Sequence, residues 1–148
     1  MLVSRLFTVR EANAFVPRLQ EIFTEARGML EHAQTVAREL ADLGAPIEDV
    51  DRLAEDPQST PAVRAKQRDI AATIAALRTT LREVAEMGAE VKAADGLVDF
   101  RSRRHGDVVY LCWRFGEPEI RHWHAIDTGF AGRAAISDPA EFEGDLLQ

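Results

Sequence analysis

The chain has 148 residues, 29% of them charged, with a formal net charge of -7 at pH 7. That length suits one domain that buries its core without crosslinks, and a single cysteine excludes an internal disulfide and fits a reducing cytoplasm. The acidic balance opposes nonspecific attraction to nucleic acid or an anionic membrane, no stretch approaches the roughly 20 apolar residues of a membrane span, and Arg5, Arg10 and Glu11 interrupt any signal-peptide run; the expectation is a soluble, cytoplasmic protein.

Helix 1 is expected over 8–43. Thr8 and Glu11 have the spacing of a capping box, and Phe15, Leu19, Ile22, Phe23, Ala26, Ala33, Leu40 and their neighbours keep one apolar face at helical spacing. Pro17 lies inside that pattern, where a kink or restart is expected. Residues 44–60 read as a connector with a short amphipathic piece around Ile47, Val50 and Leu53. Helix 2 is expected over 60–88, with Thr60 as cap, Pro61 at the first helical position, and Val63, Ile70, Leu77 and Val84 spaced seven apart. The pair predicts a long antiparallel helical hairpin whose remaining apolar surface is covered by the C-terminal region or by a second copy, so a homodimer is the expected assembly.

Beyond Gly88 the period changes to alternation, and 95–133 predicts a three-stranded antiparallel β-meander ending in a glycine-punctuated loop. Leu97–Arg103 and Val108–Phe115 flank a turn at Arg104-His105-Gly106-Asp107. With Arg103 opposite Val108, Phe100 faces Leu111 and Val98 faces Trp113 on one apolar face, while Asp99 lies across from Cys112 and Arg101 across from Tyr110 on the other. A three-residue connection, Gly116-Glu117-Pro118, then sets Trp123 beside Leu111, His122 across from Cys112 and His124 across from Tyr110. Residues 134–148 read as an acidic, loosely held tail. The fold class is α+β, a single domain spanning 1–148.

The polar face gathers carboxylate, thiol and imidazole from adjacent strands. Strands lie about 4.7–4.9 Å apart, so the row Asp99, Cys112 and His122, with His124 two residues on, makes a candidate site for a divalent metal such as zinc or iron, in which three of the four as ligands with one open position would be the catalytic arrangement. The bland alternative packs Cys112 as a small hydrophobe and hydrogen-bonds the histidines. A Cys-His-Asp nucleophilic triad fits less well, because the cysteine lies between the other two groups. Arg101, Arg114 and Arg121 offer an anion-binding alternative. The three arginines of Arg101–His105 are too few, and lack the aromatic neighbours, for a nucleic-acid patch.

Several motifs add to this reading. Phe7-Thr8-Val9-Arg10-Glu11-Ala12-Asn13, Gly96–Phe100, Val109–Trp113, Gly116–Ile120, Trp123-His124 and Gly129–Arg133 together resemble a bacterial family of uncharacterised proteins, the domain of unknown function 2203. The resemblance brings no activity. It implies that Asp99, Cys112, Trp113, Glu117, His124 and Arg133 sit in shared motifs whereas His122 does not, which favours His124 over His122. It also implies that Glu11 and Asn13 approach the sheet. The expected function is a small-ligand or metal-binding protein centred on Asp99, Cys112 and His124, with Glu11, Arg101, Tyr110, Glu117 and Arg133 as further ligand-binding candidates. The rival is an interaction or assembly module whose long helices meet a protein partner.

Overall fold

Pro17 breaks the first expected helix in two. It has no amide to donate, and within a continuous helix its ring would crowd the carbonyl of Asn13. In the computed structural model, which describes residues 5–145, α1 (Val9–Asn13) therefore stops and α2 (Val16–Asp42) restarts with Pro17 in its first turn, where no amide is needed. The capping box forms: the Thr8 hydroxyl accepts the Glu11 amide at 3.0 Å and Glu11 Oε1 accepts the Thr8 amide at 2.9 Å. The second expected helix is α3 (Pro61–Glu86), begun by Thr60, whose hydroxyl accepts the Val63 amide at 3.3 Å. Between them the connector makes one turn of 3-10 helix, Val50–Arg52.

The chain forms two compact units, residues 25–80 and residues 5–24 with 81–145. In the first, α2 and α3 run antiparallel. Glu39 meets Lys66 at 3.3 Å and His32 meets Asp69 at 2.9 Å, flanking a core of Ala33, Val36, Leu40, Val63 and Ile70 that Ile47 and Leu53 of the connector cover. Among the described residues no helix is long and apolar enough to cross a membrane.

Among the described residues the second unit holds an antiparallel sheet of six strands: β1 (Glu90–Ala93), β2 (Leu97–Arg104), β3 (Asp107–Arg114), β4 (His122–Ala125), β5 (Ala134–Ala135) and β6 (Phe142–Glu143). They are ordered β1-β2-β3-β4-β5, with β6 also on β2. The expected three-stranded meander is thus the centre of a wider sheet. Its register is the one read from alternation: Phe100 opposite Leu111, Val98 opposite Trp113, Asp99 opposite Cys112, then Cys112 opposite His122 and Tyr110 opposite His124. Slipping β3 by one residue would turn Leu111 and Trp113 outward, at about 1.5–3 kcal/mol for each buried side chain.

The β2–β3 turn is the two-residue kind that matches strand twist, with positive φ at both His105 (51°) and Gly106 (86°). The second connection is looser than the three residues expected. The ladder opens after Cys112 and His122, and 115–121 becomes a loop pinned by the Trp113 indole and Gln20, which both donate to the Glu117 carbonyl at 2.9 and 3.0 Å, and by the Ile120 amide donating to Asn13 Oδ1 at 2.6 Å. The apolar face carries the core, where Phe7 meets Phe100 edge-on at 5.0 Å and Phe23 meets Trp113 at 5.7 Å.

Up to residue 145 the tail departs from its expected looseness; 146–148 lie outside the described residues. Phe142 is buried, β6 pairs with Arg103 and Arg104 of β2, and Asp145 and Leu6 exchange hydrogen bonds at 3.0 Å. Between β1 and β6, the Phe7 amide donates to the Arg101 carbonyl at 2.7 Å, so three separate segments, two of them remote in sequence, share the outer edge of β2. Gly96, which turns β1 into β2, combines a φ of 123° with a neighbour, Phe115, whose Cβ leaves no room for another. Gly96→Ala is expected to cost about 1–3 kcal/mol. Gly106→Ala, with a φ of 86° but open space around it, is expected to cost clearly less; equal losses in paired thermal melts would contradict the packing argument.

Candidate metal centre on the polar face of the sheet

The opposite face of the sheet carries Asp99 on β2, Cys112 on β3 and His124 on β4. Strand pairing brings them together: Asp99 and Cys112 are direct partners, and His124 lies two residues along β4 from His122, the partner of Cys112. A carboxylate oxygen, the thiol sulfur and an imidazole nitrogen lie within 4.8 Å of one another. All three residues are buried, at 3%, 0% and 3% exposure. Charged side chains this enclosed need partners.

His124 has its partners on both sides. Nδ1 lies 2.7 Å from the Ala125 carbonyl, which can only accept, so Nδ1 carries a proton. Nε2 is 3.1 Å from each Asp99 oxygen. That contact is attractive only with a second proton between the groups, on Nε2 or on the carboxyl. Burial raises the Asp99 pKa above the usual carboxylate value, against the opposing pull of His124, Lys92 and Cys112. Burial likewise pushes the Cys112 thiol up to about 11, helped by the charge of Asp99, so the sulfur is protonated at neutral pH.

Two groups of charged side chains flank the cluster. On one side Glu90 accepts from Arg101 at 2.8 Å, Lys92 at 3.1 Å and the Tyr110 hydroxyl at 3.2 Å. The Tyr110 ring lies 5.3 Å from that of His124. On the other side Arg133 holds Glu117 through both oxygens, at 3.1 and 2.7 Å, and its Nη1 is 3.9 Å from the Cys112 sulfur. Glu117 Oε1 also accepts the Arg114 amide at 2.7 Å. Burial works against the Glu117 carboxylate, but these donors and charges outweigh it and hold its pKa below the ordinary value.

The sequence-derived candidates divide accordingly. Asp99, Cys112 and His124 form the cluster, and Arg101, Tyr110, Glu117 and Arg133 surround it on the same face. His122 shares the row of Cys112 but is not among the clustered ligand atoms; its Nδ1 lies 3.8 Å from Glu117 Oε2. Glu11 is likewise outside the cluster, its carboxylate engaged by the Thr8 amide and by Arg5 at 3.5 Å. Asn13 does reach the sheet unit's loop, through the Ile120 amide. Of the anion-binding trio, Arg121 pairs with Glu119 at 2.6 Å. Glu90 and Lys92 escaped the sequence reading, although Ala89-Glu90-Val91-Lys92-Ala93 alternates as a strand should.

Fold and site define an α+β protein with a buried Asp-Cys-His cluster on one face of an antiparallel sheet. The chain belongs to the family described as uncharacterized conserved protein (DUF2203), whose family model matches residues 5–136. No curated protein and no solved structure matches it. The matched span includes every cluster residue and ends before β6.

Proposed function

We propose that this is a metal-binding protein whose centre is Asp99, Cys112 and His124. The observation that carries the reading is that three neighbouring strands bring a carboxylate, a thiol and an imidazole within 4.8 Å, all buried. Around tetrahedral zinc, such ligand atoms stand about 3.3–3.6 Å apart, so the site forms when the widest separation, up to 4.8 Å, closes by about 1 Å and the 3.1 Å contact between Asp99 and His124 opens slightly. The Ala125 carbonyl fixes the His124 tautomer that leaves Nε2 as ligand, and a divalent cation takes the place of the proton shared with Asp99. Three protein ligands leave one position open, where a metal acts as a Lewis acid or binds water. The sulfur favours zinc or iron over magnesium or calcium.

The test is elemental analysis of untagged protein, purified and then reconstituted anaerobically, as wild type and as the Cys112→Ala, His124→Ala double variant. Near-stoichiometric zinc or iron in the wild type that vanishes in the variant supports the site. Equal metal content in the two, or none in either after reconstitution, overturns it.

A further inference from the structure

Next to the cluster, the fold builds a carboxylate cradle whose donors exceed what its present occupant uses. Arg133 is its base. Its side chain is 18% exposed, and its guanidinium stacks 4.4 Å from the centre of the Phe130 ring and reaches to 3.9 Å from the Cys112 sulfur. Stacking fixes the plane of the fork, and a fixed fork grips a carboxylate through two parallel hydrogen bonds. Glu117 demonstrates the fit, with bonds of 3.1 and 2.7 Å. The Arg114 amide adds a donor at 2.7 Å. A further group aims at the same place: His122 Nδ1 is buried, has no hydrogen-bond partner among the described residues, and lies 3.8 Å from Glu117 Oε2, beyond hydrogen-bonding distance.

Position supplies the chemistry. Arg133 touches both the carboxylate it grips and the sulfur that would ligate the metal, so a group held in its fork lies next to the cluster. Resting on the metal-site reading above, we propose that this centre takes a small carboxylate ligand, with Arg133 gripping the carboxylate and Glu117 as an intramolecular competitor for the same fork. The ligand carboxylate displaces Glu117 from the guanidinium, and another polar atom of the ligand, or an oxygen of the same carboxylate, meets the metal. His122 gains the partner it lacks. The ring of Phe130 forms an apolar wall, which limits the ligand to a small, flat group near its carboxylate.

The experiment uses cobalt(II)-loaded full-length protein, whose visible absorption reports the metal's surroundings, titrated with acetate against chloride at matched ionic strength. Wild type, Glu117→Gln and Arg133→Met are compared, with circular dichroism to check folding. Acetate should shift the cobalt spectrum where chloride does not. Glu117→Gln should lower the acetate midpoint about tenfold, and Arg133→Met should raise it by at least about tenfold while cobalt binds with unchanged stoichiometry. Should Arg133→Met not fold, Glu117→Gln alone decides, since an unchanged midpoint there overturns the proposal. It is equally overturned if acetate and chloride act alike, or if cobalt binds and acetate shifts nothing. Cobalt that fails to bind the wild type removes the metal centre itself, a different failure from a loaded centre indifferent to acetate.

Discussion

His124→Ala is expected to lose metal binding and also to destabilise the protein by about 3–5 kcal/mol, because it leaves the buried Asp99 carboxyl without the partner that offsets its desolvation. Asp99 is 3% exposed and its two oxygens stand equidistant, at 3.1 Å, from the imidazole. Removing the ring opens a cavity and takes away the carboxyl's main partner in the same stroke, leaving it only Cys112 and the charge of Lys92. For a chain of this size the loss corresponds to a fall in melting temperature on the order of 10 °C. Replacing both partners, as Asp99→Leu with His124→Leu, should cost clearly less than His124→Ala alone, since no charge then remains to bury. Urea titrations of the metal-free proteins decide the matter. A single-variant loss under about 1 kcal/mol would show that the pair is not coupled as described.

Metal capture should strengthen steeply with pH. The Cys112 thiol, at about 11, is protonated throughout the neutral range, and a thiolate is the ligating form, so each metal bound must release that proton. The sign is unambiguous: lower pH favours the proton, higher pH the metal, and the dependence levels off only as pH nears the thiol's own pKa. The apparent affinity should rise about tenfold per pH unit from the thiol alone, and up to about a hundredfold where the proton between Asp99 and His124 leaves as well. Competition against a chelator of known pH behaviour, from about pH 6 to 8, measures the slope. An affinity flat over that range would mean that Cys112 is not a ligand.

The sheet's centre was legible because two strands constrained each other. Only one pairing of 97–104 with 107–114 puts Val98, Phe100, Leu111 and Trp113 on a common face, and that pairing sets Asp99 against Cys112. The third strand followed from Trp123. What the sequence withheld lies mainly in short elements and side-chain direction. Ala134–Ala135 and Phe142–Glu143 are two residues each, too short to carry a period, and they are strands only because β4 and β2 have edges to offer. His122 and His124 are equivalent by alternation; the wide loop around Glu117 draws one imidazole towards the carboxylate, and the Ala125 carbonyl turns the other towards Asp99. Neither influence is a local pattern. Glu11 illustrates the reverse, a charged residue whose capping role was visible from spacing alone and sufficed to explain it.

The shared outer edge of β2 has a consequence for the order of assembly. Its three partners are β1, immediately upstream, Phe7 about ninety residues earlier, and β6 nearly forty residues later; only β1 can join by a local turn. During synthesis, the part of that edge at Arg103 and Arg104 therefore stays uncovered until residues 142 and 143 have emerged. A bare edge of that kind is a template for strands of other chains, and Arg101, Arg103 and Arg104 along it place like charges where a second copy would dock. These arginines thus read as guards of a slow closure, and two of them later find carboxylates on the segments beside them, Glu90 at 2.8 Å and Glu141 at 3.2 Å.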